Sequence, residues 1–327
     1  MIREYINPSD FNLIIFPSTA PPISPYHISF PQTTIHKTLN PSSSLPGILL
    51  MTCAVLLFAW KDAIVKITAG YYSPILVIWV QLAFMSGIWL PILIIQHGWN
   101  QLLPRPLPWQ IARGLSLITG MGLFYWSVMI IPLADATAVS FTSPLIVAAL
   151  SPLILGEKIG LHRWGAVVVG FLGAVILLRP VFSGESFGYI IAFSSGICVG
   201  LFYITSRKLA HEGAPFATIV YPAYIGLIIL SPLIPFKWTA PRPQDVWLII
   251  GFVILTSIAQ TMVLSAFRFG QASLIAPFHY MHIVGATFFG YLFFSEFPDL
   301  ITWIGITVVV GSGLYIAVRE NKIQAEK

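Results

Sequence analysis

Charge is what this sequence has least of. Only 9% of its 327 residues are Asp, Glu, Lys or Arg, where a soluble domain carries about 25%. A water-exposed globule is therefore excluded. The 17 basic residues outnumber the 12 acidic ones, but they stand singly in connections and build no cationic face, so no nucleic-acid partner is expected. Cysteine is nearly missing as well. Cys53 and Cys198 both lie inside apolar runs, where a free thiol packs as a small hydrophobe, and each is expected to be buried. No disulfide framework or Cys/His metal spacing can be drawn, and no cofactor is expected. The acids from Asp62 onward are also dispersed, with only Glu296 and Asp299 within one helical turn of each other. That scatter disfavours a polytopic membrane enzyme, the alternative from another class, which needs clustered acids or a nucleophile–base pair.

What is present is apolar. Hydrophobic residues make up 57% of the chain, arranged in runs of the length that crosses a bilayer. Ten such runs are read at 46–68, 73–96, 109–131, 134–155, 161–180, 187–207, 216–236, 245–267, 272–294 and 299–318. In lipid the backbone must satisfy its own hydrogen bonds, so each is expected to be helical. The fold class is an all-α integral membrane protein. Residues 1–45 differ in kind: they are rich in Pro, Ser and Thr, with Arg3 and Lys37 their only basic residues. They lack the order of a cleaved signal peptide and read as a disordered cytoplasmic tail. Residues 319–327 read as a second, short cytoplasmic tail.

Orientation follows from the positive charges. With the N-terminus inside, Lys61, Lys66, Arg179, Lys237 and Arg242 fall on the outer side and the other 12 of the 17 basic residues on the inner side. Both termini are expected to be cytoplasmic, in a bacterial inner membrane.

The runs repeat. Glu157 and Trp164 recur as Glu296 and Trp303 at a spacing of 139, and Gly47, Lys66, Pro74 and Pro91 recur as Gly188, Arg207, Pro215 and Pro232 at a spacing of 141. Each copy holds five runs, over 46–180 and 187–318. An odd number of crossings turns the second copy upside down, which gives a 5+5 inverted structural repeat, an architecture of secondary transporters with a central site.

The segment PLADATAVSFTSPLIVAALSPLILGEKIGLHRWGAVVVGFLGAVILLRP (Pro132 to Pro180) and its partner IAPFHYMHIVGATFFGYLFFSEFPDLITWIGITVVVGSGLYI (Ile275 to Ile316) resemble the two repeats of EamA-type carriers, the ten-helix branch of the drug/metabolite transporter superfamily. The resemblance implies a multi-pass carrier of a small organic metabolite that works by alternating access. APFHYMH and SEFPD look somewhat like uptake carriers for S-adenosylmethionine and riboflavin, and the reading leans towards solutes of that kind. Amino-acid, drug or opine export by the same fold is the alternative. His279 and His282 stand where many relatives carry an acidic or apolar residue.

Several residues are candidates for the site. Ionisable groups inside a span cost about 2.5–3.5 kcal/mol on insertion scales, so each invites a role. Asp62 beside Lys61 is read either as a solute or proton group, or as part of a local ion pair or the neighbour of a Lys61 that snorkels to the outer surface. His279 and His282 share a helix face and correspond, at the spacing of 139, to Ser140 and Ser143. With Pro144 and Pro277 beside them, these four are expected to approach the midplane and line the site, or else to be satisfied by neighbouring hydroxyl and carbonyl groups. Tyr125 and Trp126, with Phe141 and Tyr280, are read as cavity walls or as packing. Glu157, Lys158 and Glu296 are read as gating latches or helix caps at opposite surfaces. Arg113 and Asp135 are expected to be interfacial anchors. The small-residue faces at Ala166, Gly170 and Ala174 and at Gly305, Gly311 and Gly313 are expected to pair the fifth and tenth runs, or to join a homodimer.

Overall fold

The computed structural model describes residues 45–99, 105–156, 160–178, 186–209, 217–269 and 272–325. The 1–45 tail up to residue 44, together with Glu157 and Lys158, lies outside them. The described residues of the expected apolar runs are mainly helical. The helices are α1 (Leu45–Ile67), α2 (Pro74–His97), α3 (Leu107–Val128), α4 (Leu133–Ser140), α5 (Ser143–Leu155), α6 (Leu161–Leu178), α7 (Ser186–Lys208), α8 (Ala217–Leu230), α9 (Ile234–Lys237), α10 (Val246–Ala266), α11 (Ala272–Ile275), α12 (Met281–Phe294) and α13 (Leu300–Ala325). Seven stretches among the described residues are long and apolar enough to cross a membrane. The last helix runs on past 318 to Ala325, so most of the expected C-terminal tail is helical.

The ends of these helices follow local chemistry. Ser73 caps α2 by accepting a hydrogen bond from the Leu76 backbone N–H at 3.3 Å, with Pro74 in the first turn, where its missing donor costs nothing. Gly156 closes α5 at φ 71, and Ser295, its counterpart in the second copy, closes α12 at φ 57. The turn that glycine adopts freely is thus kept in the second copy by a serine at some cost.

Packing repeats the duplication with the halves exchanged. α1 packs on α10 and α12 of the second half, and its counterpart α7 packs on α3, α4 and α5 of the first. α2 pairs with α8, and α6 pairs with α13. Gly47 abuts Ile275 and the Ala266 carbonyl, and its counterpart Gly188 abuts Ile130 and Ile131, so matching glycines admit matching neighbours. The small-residue faces of α6 and α13 meet within the chain: Gly173 faces Val308 and Val309, and Gly305 faces Leu177. Gly311 has open space around it instead. Cys53 is exposed rather than buried, because it lies on the outward face of α1.

The fourth and ninth runs are both broken. α4 gives way to α5 at Phe141 and Thr142, and α11 passes through a 3-10 turn at Ala276–Tyr280 into α12. The breaks sit beside Pro144 and Pro277, whose rings remove backbone donors.

Candidate functional site

The two breaks meet. Phe141 and Tyr280 are counterparts in the two copies, and their ring centroids lie 5.2 Å apart. A residue in contact with its own counterpart lies on the axis that relates the halves. Phe141 also lies 5.4 Å from the His279 ring and 5.9 Å from the His282 ring. The aromatic cluster therefore lies where the two copies meet.

Against this cluster stands a polar network in an otherwise apolar interior. Asp62 is 1% exposed and pairs with the neighbouring Lys61 ammonium. Its second oxygen is hydrogen-bonded to His282 Nε2 at 3.0 Å. Lys61 Nζ donates to the Tyr125 hydroxyl at 2.8 Å, and that hydroxyl donates to Gln81 Oε1 at 2.6 Å. The ammonium also lies 4.8 Å from the Tyr125 ring centre and 6.0 Å from that of Phe252. α1, α2, α3 and α12 thus all send polar groups to a single point. Buried charges persist only when paired and hydrogen-bonded, and here both are.

Lys61 is not a snorkelling residue. It is buried and points inward, because Asp62 and the Tyr125 hydroxyl, itself held by Gln81, offer it oxygen ligands that lipid does not. The local ion pair with Asp62 is present, but as part of a network reaching three other helices. Arg113 and Asp135 are not interfacial anchors either: they are 1% and 3% exposed, and the Tyr189 hydroxyl donates to Asp135 Oδ2 at 2.5 Å, tying α7 to α4. With Lys61 and Arg113 removed from the tally of connecting charges, 11 basic residues remain on one side against 4 on the other.

Tyr125, His279, Tyr280 and His282 are brought together. Ser140 and Ser143 flank the first break. Ser140 Oγ donates to the Ala192 carbonyl at 3.4 Å, and Ser143 is buried. Trp126 is not part of the cluster. One residue on from Tyr125, it is turned about 100° round α3, is 46% exposed, and meets Phe187 edge to face at 5.6 Å. Lys61, Gln81, Phe58 and Phe252 complete the surroundings, although the sequence alone does not single them out as site residues. Gln81 has a signal: it is the one amide in the middle of its apolar run, where a polar group calls for a partner.

One end of the bundle is fastened. Lys66 Nζ, at the end of α1, lies 2.6 and 2.7 Å from the two Glu296 oxygens and donates to the Ile131 carbonyl at 2.9 Å. Glu296 in turn accepts from the Leu133 backbone N–H at 3.2 Å, at the positive end of α4. Nearby, Tyr72 donates to Asp245 Oδ2 at 2.9 Å, and Arg242 Nε donates to the same oxygen at 2.7 Å. Burial pushes the Tyr72 phenol up, and the Asp245 carboxylate raises the Arg242 guanidinium. Between α1, α2, α10 and residues 238–241 lies an apolar cavity lined by Ile64, Val65, Val77, Val80, Ile249 and Phe252, among others. Phe252, in its lining, has its ring centre 6.0 Å from Lys61 Nζ. No group of three or more His, Cys, Asp or Glu suited to a metal ion occurs among the described residues.

Comparison with known proteins returns the same architecture. The EamA-like transporter family matches residues 45–179 and 186–318. An S-adenosylmethionine uptake transporter of Rickettsia felis is 30% identical over 75% of this chain and 83% of its own. A riboflavin transporter of Vibrio cholerae is 28% identical over 85% and 95%, and a pseudopaline exporter of Pseudomonas aeruginosa is 24% identical over 81% and 93%. A solved crystal structure, 17% identical, superposes with a TM-score of 0.57 over 85% of this chain and 98% of that one. That last likeness concerns the fold alone.

Proposed function

The chain belongs to the EamA-like transporter family, and from that membership we propose that it carries a small zwitterionic metabolite with an aromatic portion into the cell by alternating access. The observation that carries this reading is the Lys61–Asp62 pair beside the Phe141–Tyr280 contact. A solute with a carboxylate and a cationic nitrogen can replace each member of the pair as the other's partner. Lys61 takes the carboxylate, with Tyr125, itself bonded to Gln81, holding the ammonium in place. Asp62 takes the cation, with His282 as its remaining hydrogen bond. The exchange leaves no buried charge unpaired, which keeps its cost low. Phe141, Tyr280 and His279 supply flat surfaces for an aromatic portion.

An S-adenosylmethionine-like solute has both features, in keeping with the named activity of the Rickettsia felis relative. A riboflavin-like solute uses the aromatic cluster but not the ion pair, and ranks second. We place both termini in the cytoplasm of a bacterial inner membrane, on the 11 to 4 balance of connecting charges. The Lys66–Glu296 latch then closes the outer side, and the cavity bounded by Phe252 is the outer approach. We take the process as translocation without covalent change.

Counterflow in vesicles loaded with S-adenosylmethionine, riboflavin or an amino-acid panel tests this. Exchange of labelled S-adenosylmethionine, recovered with its mass unchanged, is expected. Exchange of riboflavin alone overturns the zwitterion reading, and a changed mass overturns translocation.

A further inference from the structure

Far from the ion pair, at the other end of the bundle, a second charge is buried with less company. Arg113 stands in the second turn of α3 and is 1% exposed. Its Nε and Nη2 have no hydrogen-bond partner among the described residues, and neither has Oε1 of Gln110, one turn earlier on the same face and 3% exposed. Those two nitrogens form the side edge of the guanidinium fork, the edge that grips a carboxylate or phosphate with two parallel hydrogen bonds. The titratable group that interacts with Arg113 is Tyr221 of α8. The neighbouring Gly114 abuts Ile225 and the Pro222 carbonyl, so α8 is pressed against this part of α3.

The duplication relates this polar cluster to the cavity at the opposite end. Ile249 and Phe252 follow Gln110 and Arg113 at the spacing of 139, and Val80 precedes Tyr221 at the spacing of 141. All three line the apolar cavity at the opposite end. The positions that line an apolar cavity at one end are thus occupied at the other by a guanidinium fork, an amide oxygen and a phenol.

We propose that Arg113 and Gln110 form a binding site for an oxyanion that also carries a hydrogen-bond donor, such as a partly protonated phosphate, at the end of the bundle where α2 stops and α3 and α8 start. Arg113 holds two oxygens, and Gln110 Oε1 accepts from the donor. The ligand removes the cost of a buried charge and a buried acceptor that lack partners. This inference does not depend on what the carrier transports, and its test involves no transport.

The full chain is placed in lipid discs of neutral phosphatidylcholine, and thermal unfolding is followed in inorganic phosphate, in acetate and in chloride of matched ionic strength. Phosphate is expected to raise the midpoint more than acetate, and chloride not at all. Arg113→Gln should bind phosphate at least about tenfold more weakly, the loss of one charge-assisted contact, with Arg113→Lys in between. Gln110→Leu, which keeps the charge and stands in if the arginine variants fail to fold, should weaken phosphate but leave acetate unchanged. Discs of phosphatidylglycerol without soluble oxyanion form the second arm. A rise there that Arg113→Gln abolishes assigns the site to a lipid headgroup, and a rise in the phosphate arm alone assigns it to a soluble solute. A rise in neither arm, an equal rise with chloride, or equal rises in wild type and variants overturn the proposal.

Discussion

Replacing Asp62 with Asn keeps its shape and removes its charge. The Lys61 ammonium then retains the Tyr125 oxygen at 2.8 Å and that residue's ring at 4.8 Å, in a side chain that is 9% exposed. Removing one partner of a buried ion pair costs about 3–5 kcal/mol. The remaining oxygen and ring offset about 1–2 kcal/mol, so a net loss of about 2–3 kcal/mol is expected. Lys61→Met should cost a similar amount, since it strands the carboxylate with His282 alone. The double variant Lys61→Met/Asp62→Asn removes both charges, and its stability should return to within about 1 kcal/mol of wild type. Transport should not return with it. Thermal unfolding in detergent, run beside counterflow in vesicles, separates the two readouts. Full stability in either single variant would refute the buried pairing. Wild-type counterflow in the double variant would make the pair a packing device and remove it from the transport site.

Two further expectations concern the fastened end. Glu296→Gln loses the ion pair to Lys66, whose partners are 12% and 28% exposed, so solvent screening limits the loss to about 1 kcal/mol. A Phe141→Cys reporter in a Cys53→Ser/Cys198→Ser background should then react about fivefold faster with an impermeant thiol reagent, and an unchanged rate would remove the latch. Ser295→Gly relieves a left-handed serine at φ 57 and should gain about 1 kcal/mol in thermal unfolding, whereas a lower midpoint would show that the hydroxyl contributes more than the backbone strain costs.

Much of the scaffold is legible because it rests on features that sequence carries directly: run length, and residue types returning at fixed spacings. The breaks at Phe141 and at Ala276–Tyr280 can be read from Pro144 and Pro277, and the gathering of Asp62, Tyr125 and His282 from polar groups set in apolar runs. What sequence does not carry is direction. Lys61 reads as an outer charge because a lysine near the end of a run can reach the surface. Whether it turns inward depends on Gln81 of α2 and Tyr125 of α3, which only tertiary structure brings near. Arg113 is hidden for the same reason. Trp126 shows the converse: its residue type suits a cavity wall, but its place on the helix faces it away.

The deepest contrast in this molecule is between a duplicated frame and chemistry that is not duplicated. Glycines, helix ends, breaks and pairings recur in both halves, yet the counterparts of Lys61, Asp62, Gln81 and Tyr125 in the second copy are Phe202, Tyr203, Pro222 and Leu264. A symmetric frame is what lets two opposite openings have nearly equal energy, so that a difference of a few kcal/mol in binding decides between them. A symmetric site would need a solute with matching ends. Placing the ion pair on one side of the Phe141–Tyr280 axis, and Arg113 at one end only, gives the solute a fixed orientation while the frame around it changes sides. Loss of the ion pair should therefore abolish recognition without altering the balance between the two openings, and loss of the Lys66–Glu296 latch should do the reverse.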